Sequence, residues 1–316
     1  MGVHRQYTGT AGKVDNAQVA VYLAYASPGG CAFIDRALYL PRAWTDDHDR
    51  CAAAGVPDEV GFVTKPQLAT RMIARALDAG VPAQWVAGDE VYGADPGLRA
   101  ELAGRGVGYV LAVAKDHRIS TAAGTLPAAD WARMLPRQAW QPLSAGHGAK
   151  GHRVYNWALI DISDPAASSG CHWLLIRRHR RTGELAFYRC HAPTPVPLST
   201  LVRVAGTRWK IEESFQTGKD LAGPDEHQVR GWTSWHRWTA LALLAHAFLS
   251  VLAATQRQPS PDQQLIPLTR NEIRRLLAAL ISTIRHATHI LRWSAWRRRH
   301  QARARAAHYR HQAALT

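Results

Sequence analysis

Cysteine is scarce in this 316-residue chain: four residues, Cys31, Cys51, Cys171 and Cys190, none of them in a CxxC pair. That argues against a zinc module and against a disulfide framework. Long apolar runs are also missing. The one membrane candidate, TALALLAHAFLSVLAAT at 239–255, has 17 residues, is rich in alanine and carries His246. A membrane span needs about 20 predominantly apolar residues, so a buried core helix is expected there. The opening MGVHRQYTGTAGK is polar and has no apolar h-region, so no secretory leader is expected. Gln6 stands where an N-myristoylation signal needs Ser or Thr. No internal repeat and no helix-turn-helix is recognisable. Acidic residues stop altogether after Glu272.

What is present is apolar content and positive charge. Hydrophobic residues make up 47%, enough for a sizeable core rather than disorder. The net charge is +15, which favours an anionic partner, most often nucleic acid. Ten of those charges are arginines in residues 273–316, at 274, 275, 285, 292, 297, 298, 299, 303, 305 and 310. A body of near-ordinary charge followed by a cationic tail is a separable arrangement.

The periodicities predict a mixed α/β core. Residues 17–26 and 31–40, split by the turn SPGG, read as a strand pair. TKPQLATRMIARALDAG reads as a helix with a Thr64/Gln67 capping box, Pro66 in its first turn and Gly80 at its stop. WVAGD is a strand, DPGLRAELAGRG a short helix capped by Asp95, and YVLAVA (109–114) a further strand. Residues 115–150 show no period. Residues 153–162, 171–178 and 185–191 read as three antiparallel strands, with RTG (181–183) turning between the last two. Helices are expected over 198–222, with Gly206 a break, over 232–254, and over LTRNEIRRLLAALISTIR. The segments are then 1–120, a β-rich insertion at 121–197, helices at 198–255, and a C-terminal helix with its basic tail at 256–316.

Two stretches hold the chemistry. In WVAGDEVYG (85–93) a short apolar run ends in glycine and then two acids, Asp89 and Glu90. A solvated turn and a metal site both fit that pattern. In TRWKIEESFQTGKD (207–220), at 100° per residue, Arg208, Glu212 and Lys219 fall on one helix face, while Glu213 points about 100° away. A row of i, i+4 ion pairs fits that stripe as well, and such pairs contribute only a few tenths of a kcal/mol.

Taken together the stretches resemble a family. WVAGDEVYG, the R-x3-E-x6-K spacing and the β-rich segment between them are similar to the DDE transposases of bacterial insertion sequences, within the broad IS4-like group. The likeness to IS701-type transposases covers nearly the whole chain. It includes Gly2 to Lys13, Asp35 to Trp44 and Lys65 to Ala69. The resemblance implies an RNase H-like α/β fold interrupted by a β insertion before the helix that carries the glutamate. It implies that Asp89 and Glu212 are catalytic, metal-binding carboxylates, and that Arg208 and Lys219 hold DNA phosphates. Trp209, beside Arg208, is a base-stacking or a core residue. The implied cofactor is Mg2+ in a two-metal site, with Mn2+ able to substitute. The implied partners are double-stranded DNA, as transposon ends and target, and a second copy of the chain in a homodimeric DNA complex. No membrane is implied, and the location is the cytoplasm of a bacterium, at the nucleoid.

Two departures from the family pattern matter. Ala205 stands where the IS4-like signature has tyrosine. The family's first aspartate ends a strand before the GVxRQYxGTAGK segment, and this chain starts within that segment. Asp15 and Asp35 are the nearest acids, and neither matches the first-aspartate motif. Phosphodiester cleavage and strand transfer use two ions about 3.5 to 4 Å apart to clamp the attacking and leaving oxygens, and in the family the first aspartate bridges them. The chain is therefore expected to be a poor or inactive catalyst. The alternative is a non-catalytic, truncated transposase that acts as a DNA-binding regulator; a generic RNase H-like nuclease fits the flanking segments less well. Arg297, Arg298 and Arg299 head the tail as DNA-contacting residues. Trp293, Trp296 and Tyr309 either stack on bases or pack on the body. Trp232, Trp235 and Trp238 read as core. His286 and His289 are weak metal candidates.

Overall fold

A computed structural model of the protein describes residues 1–9, 11–148, 151–163, 169–228, 230–256, 265–282 and 287–314. Arg285, His286 and most of the loop expected at 256–263 lie outside the described residues. The chain divides into two compact units, one made of Met1–Val63 with Lys210–Thr316 and the other of Thr64–Trp209. This division does not follow the segment limits at 120, 197 and 255.

The first unit opens with an antiparallel hairpin, β1 (His4–Thr8) and β2 (Lys13–Ala17), that is largely exposed. A second hairpin, β3 (Val19–Ser27) and β4 (Gly30–Tyr39), is the strand pair expected around SPGG. Its alternation buries Val21, Cys31, Phe33 and Leu38. A bulge between Leu23 and Ala24 shifts its register. Two short helices follow, α1 (Arg42–Thr45) and α2 (His48–Ala53). Trp44 and Val56 pack with Met1, Leu38, Leu40 and Trp235.

The second unit begins with α3 (Lys65–Asp78), and its capping box is complete. The Gln67 amide N–H donates to the Thr64 hydroxyl at 3.3 Å, and the Thr64 N–H donates to the Gln67 side chain at 3.0 Å. Then come β5 (Trp85–Gly88), α4 (Glu90–Gly93), α5 (Pro96–Gly104) and β6 (Gly108–Val113). Asp95 caps α5 through the Leu98 N–H at 2.7 Å, as its position predicts. The stretch without a period holds a small hairpin, β7 (Arg118–Thr121) and β8 (Gly124–Pro127), then α6 (Ala128–Met134) and β9 (Gln141–Gly148). Four-residue strands are too short for alternation to show, and Pro142, Gly146 and Gly148 break any pattern in β9. The last strands, β10 (Gly151–Asp161), β11 (Cys171–Arg178) and β12 (Leu185–Ala192), are the three expected antiparallel ones.

These strands join β5 and β6 in one six-stranded mixed sheet, in the order β5-β6-β12-β11-β10-β9. β5 and β6 are parallel, and every other neighbouring pair is antiparallel. Helix α7 (Leu198–Thr207) covers one face, where Leu201, Val202 and Val204 meet Trp157, Leu175 and Cys190. Trp131 and Ala132 of α6, with Ile119, cover the other face against Leu174, Ile176 and Phe187.

The chain returns to the first unit through α8 (Trp209–Ala222), so the helix expected over 198–222 breaks at Arg208 rather than Gly206. In the first unit α9 (Trp232–Thr255), α10 (Arg270–Ser282) and α11 (Ala287–Ala314) complete the fold. Helix α9 buries Trp235, Thr239, Leu243, His246, Leu249 and Ala253 at three- and four-residue intervals. Arg36 of β4 fixes it by donating to the Thr239 hydroxyl (3.1 Å) and the His236 carbonyl (3.0 Å). It is the one helix among the described residues long and apolar enough to cross a membrane. Its outer face leaves Leu241, Leu244, Phe248 and Val251 exposed. Trp235 is core, Trp232 packs against that core, and the Trp238 indole N–H donates to the Gly223 carbonyl at 2.8 Å.

Candidate active site

Asp89 sits where β5 ends, as the extended N-cap residue of α4. Its Oδ1 accepts the Val91 N–H at 2.9 Å, and its side chain is exposed. The flanking glycines explain the motif. A Cβ on Gly93 would lie 1.8 Å from the Ala112 carbonyl oxygen, and one on Gly88 would lie 3.1 Å from the Leu111 side chain. Only glycine lets this single turn lie flat on β6, and that seat aims the carboxylate off the strand end. Tyr92, from the same turn, is pushed up to about 12 by burial, with the Asp89 charge adding to the effect.

The strand directions place several basic groups at the same end of the sheet. β5 runs toward Asp89 parallel to β6; β12 runs back, β11 forward and β10 back. The turn after β11, residues 178–181, and the start of β10 near Arg153 therefore share the end where β5 terminates. Helix α7 ends there too. A Cβ on Gly206 would lie 2.0 Å from the Ala145 carbonyl oxygen, so the helix sits directly on β9. Arg153 ties that contact by donating one Nη to both the Ala145 and Gly206 carbonyls, at 3.1 and 3.2 Å. Its guanidinium lies 6.0 Å from the ring centroid of Trp209, which is 50% exposed and so is a surface residue rather than core. Arg208 caps α7 with helical dihedrals (φ −53°, ψ −35°). Its charge and that of Arg177 act on Tyr188, whose hydroxyl is nevertheless raised by burial. Ala205 packs into the apolar cluster under α7.

Glu212 and Lys219 belong to the other unit, on α8. Glu212 is exposed, as is its neighbour Glu213. Phe215 anchors the helix to the β3–β4 hairpin, with ring centroids 5.0 Å from Phe33 and 5.4 Å from Tyr22. The Lys210 ammonium donates to the Ser27 carbonyl at 3.0 Å. Lys219 pairs with Asp225 at 3.6 Å. Asp15 pairs with Lys13 on the exposed β2 strand, and Asp35 accepts the Arg36 N–H at 2.8 Å within β4.

The three arginines singled out on the tail differ in their surroundings. Arg297 pairs with the buried Glu272 at 3.0 Å and lies over the Trp293 ring at 4.8 Å. Arg298 donates to the Ile266 carbonyl at 2.6 Å. Arg299 is exposed, on a helix that also exposes Arg292, Arg303 and Arg310. Trp296 is 61% exposed and stacks on His300. Within either unit, among the described residues, no three histidine, cysteine or acidic side chains gather as a metal cluster. What a hard cation would find is the Asp89 carboxylate, exposed and with Oδ1 alone committed to Val91.

Sequence reasoning missed Arg153 and Tyr92. Arg153 sits in a strand of ordinary alternation, and only the fold brings it to Trp209.

A mixed α/β unit with a solvent-facing carboxylate at the end of one strand is compatible with a DDE nuclease fold. The sequence model of a family described as DDE superfamily endonuclease matches residues 1–150. The match spans Asp89 and stops before Arg208 and Glu212. It supports a DDE-type transposase, a nuclease class that acts on DNA and generally depends on divalent metal. No match was found among curated proteins.

Proposed function

We propose that the protein is an insertion-sequence transposase of the IS701-type, IS4-like kind, with an RNase H-like core. In this reading it cleaves DNA at the ends of its element and transfers the strand to a target. The observation that carries the proposal is Asp89: an exposed carboxylate at the carboxyl end of β5, on the sheet end that also holds Arg153, Arg208 and Trp209. Ligands of α/β sheets bind outside the carboxyl ends of strands. The family match over this stretch adds support.

Asp89 and Glu212 are each assigned as an oxygen ligand for Mg2+ or Mn2+. Such ions, when bound, would supply Lewis-acid stabilisation of the phosphoryl oxygens and a nucleophile at neutral pH. Arg208 neutralises charge on the scissile strand, and Trp209 offers an aromatic face to an unstacked base. Lys219 contributes to the phosphate contacts only after exchanging its Asp225 partner. The exposed arginines of α11, Arg299 among them, hold the duplex backbone. The active form is a homodimer on two element ends, in the bacterial cytoplasm, with α9 as a core helix rather than a membrane span.

The test is nicking of supercoiled plasmid carrying element ends by the purified chain in Mg2+ or Mn2+. Weak cleavage, in keeping with the lack of a match to the family's first-aspartate motif, that is lost in Asp89→Asn and in Glu212→Gln is the expected result. Cleavage retained in both variants refutes the assignment.

A second reading is a DNA-binding regulator without catalysis. It is favoured by the basic helix α11, which exposes Arg292, Arg303, Arg305 and Arg310. Duplex binding without nicking in either metal would select it.

A further inference from the structure

The stretch Arg177-Arg178-His179-Arg180-Arg181 was not absorbed by the carboxylate site. It closes β11 and forms the turn into β12 at the sheet end that carries Asp89. We propose that this turn, with Arg153, is a docking surface for the phosphate backbone of duplex DNA, separate from the arginine tail.

Three features carry it. The first is construction. The His179 ring organises the turn, its Nδ1 accepting the Arg181 N–H at 3.2 Å and the Thr182 N–H at 3.1 Å. The backbone closes the turn with the His179 N–H donating to the Glu184 carbonyl at 2.8 Å and the Gly183 N–H donating to the His179 carbonyl at 2.9 Å. This leaves Arg180 and Arg181 exposed at the tip. The second is the state of the arginines. Arg177 lies 4.7 Å over the Tyr155 ring, Arg178 lies 4.0 Å over Trp140, and Arg153 faces Trp209. A ring against its flat face holds a guanidinium in place and leaves its edge N–H groups for an anion. Glu184 is the one acid in residues 171–192, so the charge is not neutralised locally.

The third feature is placement. The β11 end lies three strand spacings from β5, about 14 Å across the sheet at about 4.8 Å per spacing, and the register carries Arg178 three residues, about 10 Å, beyond the level of Asp89. The separation is then about 17 Å, or about five base pairs of duplex at 3.4 Å each. A duplex whose scissile phosphate meets Asp89 therefore reaches the turn within one helical turn. The inference rests on the transposase reading for its choice of DNA.

The test is fluorescence anisotropy of a labelled 20-base-pair duplex titrated with the full chain across a salt series. Each phosphate contact contributes about 0.9 to the slope of log K against log salt. The double variant Arg180→Ala/Arg181→Ala should lower that slope by about two and weaken binding at 0.1 M salt by about tenfold per contact. Arg133→Ala, which removes an exposed arginine paired with Asp130 on α6, should change neither. An unchanged slope in the double variant overturns the proposal. So does a slope loss seen with duplex RNA and not with DNA, which would assign the surface to another partner. Plasmid nicking by the same wild-type and double-variant proteins separates the two readings. Nicking with an unchanged slope leaves the transposase standing without this surface. A lowered slope with no nicking in either metal leaves this surface standing without the transposase.

Discussion

Gly93 and Ala112 are in backbone contact: a methyl group at position 93 would lie 1.8 Å from the Ala112 carbonyl oxygen. No rotamer change relieves a clash with a main-chain atom, so α4 must lift from β6. Gly93→Ala should destabilise the protein by about 3 kcal/mol, at the upper end of overpacking costs. Gly104→Ala, near the end of α5 with nothing within 4 Å of its Cβ, should instead be neutral or stabilising by about 0.5 to 1 kcal/mol. Thermal denaturation of the two variants against wild type checks this. Equal melting temperatures for both variants would remove the packing account of the motif.

Arg297 and Arg303 lie on one helix, α11, and should behave oppositely. Glu272 is 4% exposed and pairs with Arg297. Arg297→Ala strands a buried carboxylate and should cost about 3 to 5 kcal/mol. Arg297→Met combined with Glu272→Leu should recover most of that loss. Arg303 is exposed, and Arg303→Ala should leave stability unchanged and lower the salt slope of DNA binding by about 0.9. Urea unfolding with the anisotropy series reads both effects, and a stability loss for Arg303→Ala would contradict the division.

The buried histidines predict a pH response. His246 is held down to about 4 by burial and by the Arg270 charge beside it, and His191 to about 4 by burial and the neighbouring His172. Their unfolded value is about 6.5. Between pH 6.5 and 4 the unfolded chain binds protons that the folded chain excludes. Stability therefore falls as pH drops through that window and is fully present above it. Each group contributes up to about 3 kcal/mol at the acid end. Urea midpoints at pH 7 and 5 should show the loss, and His246→Gln should show a smaller one. A variant with the wild-type pH slope would exonerate His246.

The neighbours of the proposed catalytic acids provide controls for the nicking assay. Glu90 and Glu213 are exposed acids one position from Asp89 and Glu212. Glu90→Gln and Glu213→Gln should keep activity within about threefold of wild type, since neither removes an assigned ligand. Asp89→Asn and Glu212→Gln should lose at least a hundredfold, about 2.7 kcal/mol of transition-state stabilisation. A decoy variant as inactive as its neighbour would show that the wrong acid had been chosen.

Much of the local structure was legible because burial imposes a period on it. Thr64, Gln67 and Pro66 announced α3, and Val21, Cys31 and Phe33 announced their hairpin. The β1–β2 hairpin was illegible because KVDNA is exposed along nearly its whole length and carries no apolar pattern. The larger gap concerned pairing. Val113 lies opposite Phe187, and no local signal encodes a partner 74 positions away. For that reason the strands read as an insertion, although they continue the sheet that holds Asp89. Asp89 could be placed at a strand end because its motif is contiguous. Arg153 could not be placed beside Trp209, because three elements must fold before the two residues face each other.

The β6–β12 ladder has a consequence for dissecting the protein. Residues 1–150, the stretch that the family model matches, contain both strands that seat the acid but lack the strand on which β6 leans. A polypeptide cut at 150 would expose an apolar sheet edge where Phe187 to His191 belong, and it should aggregate rather than fold. Here the end of the sequence match and the limit of cooperative folding fall at different places along the chain.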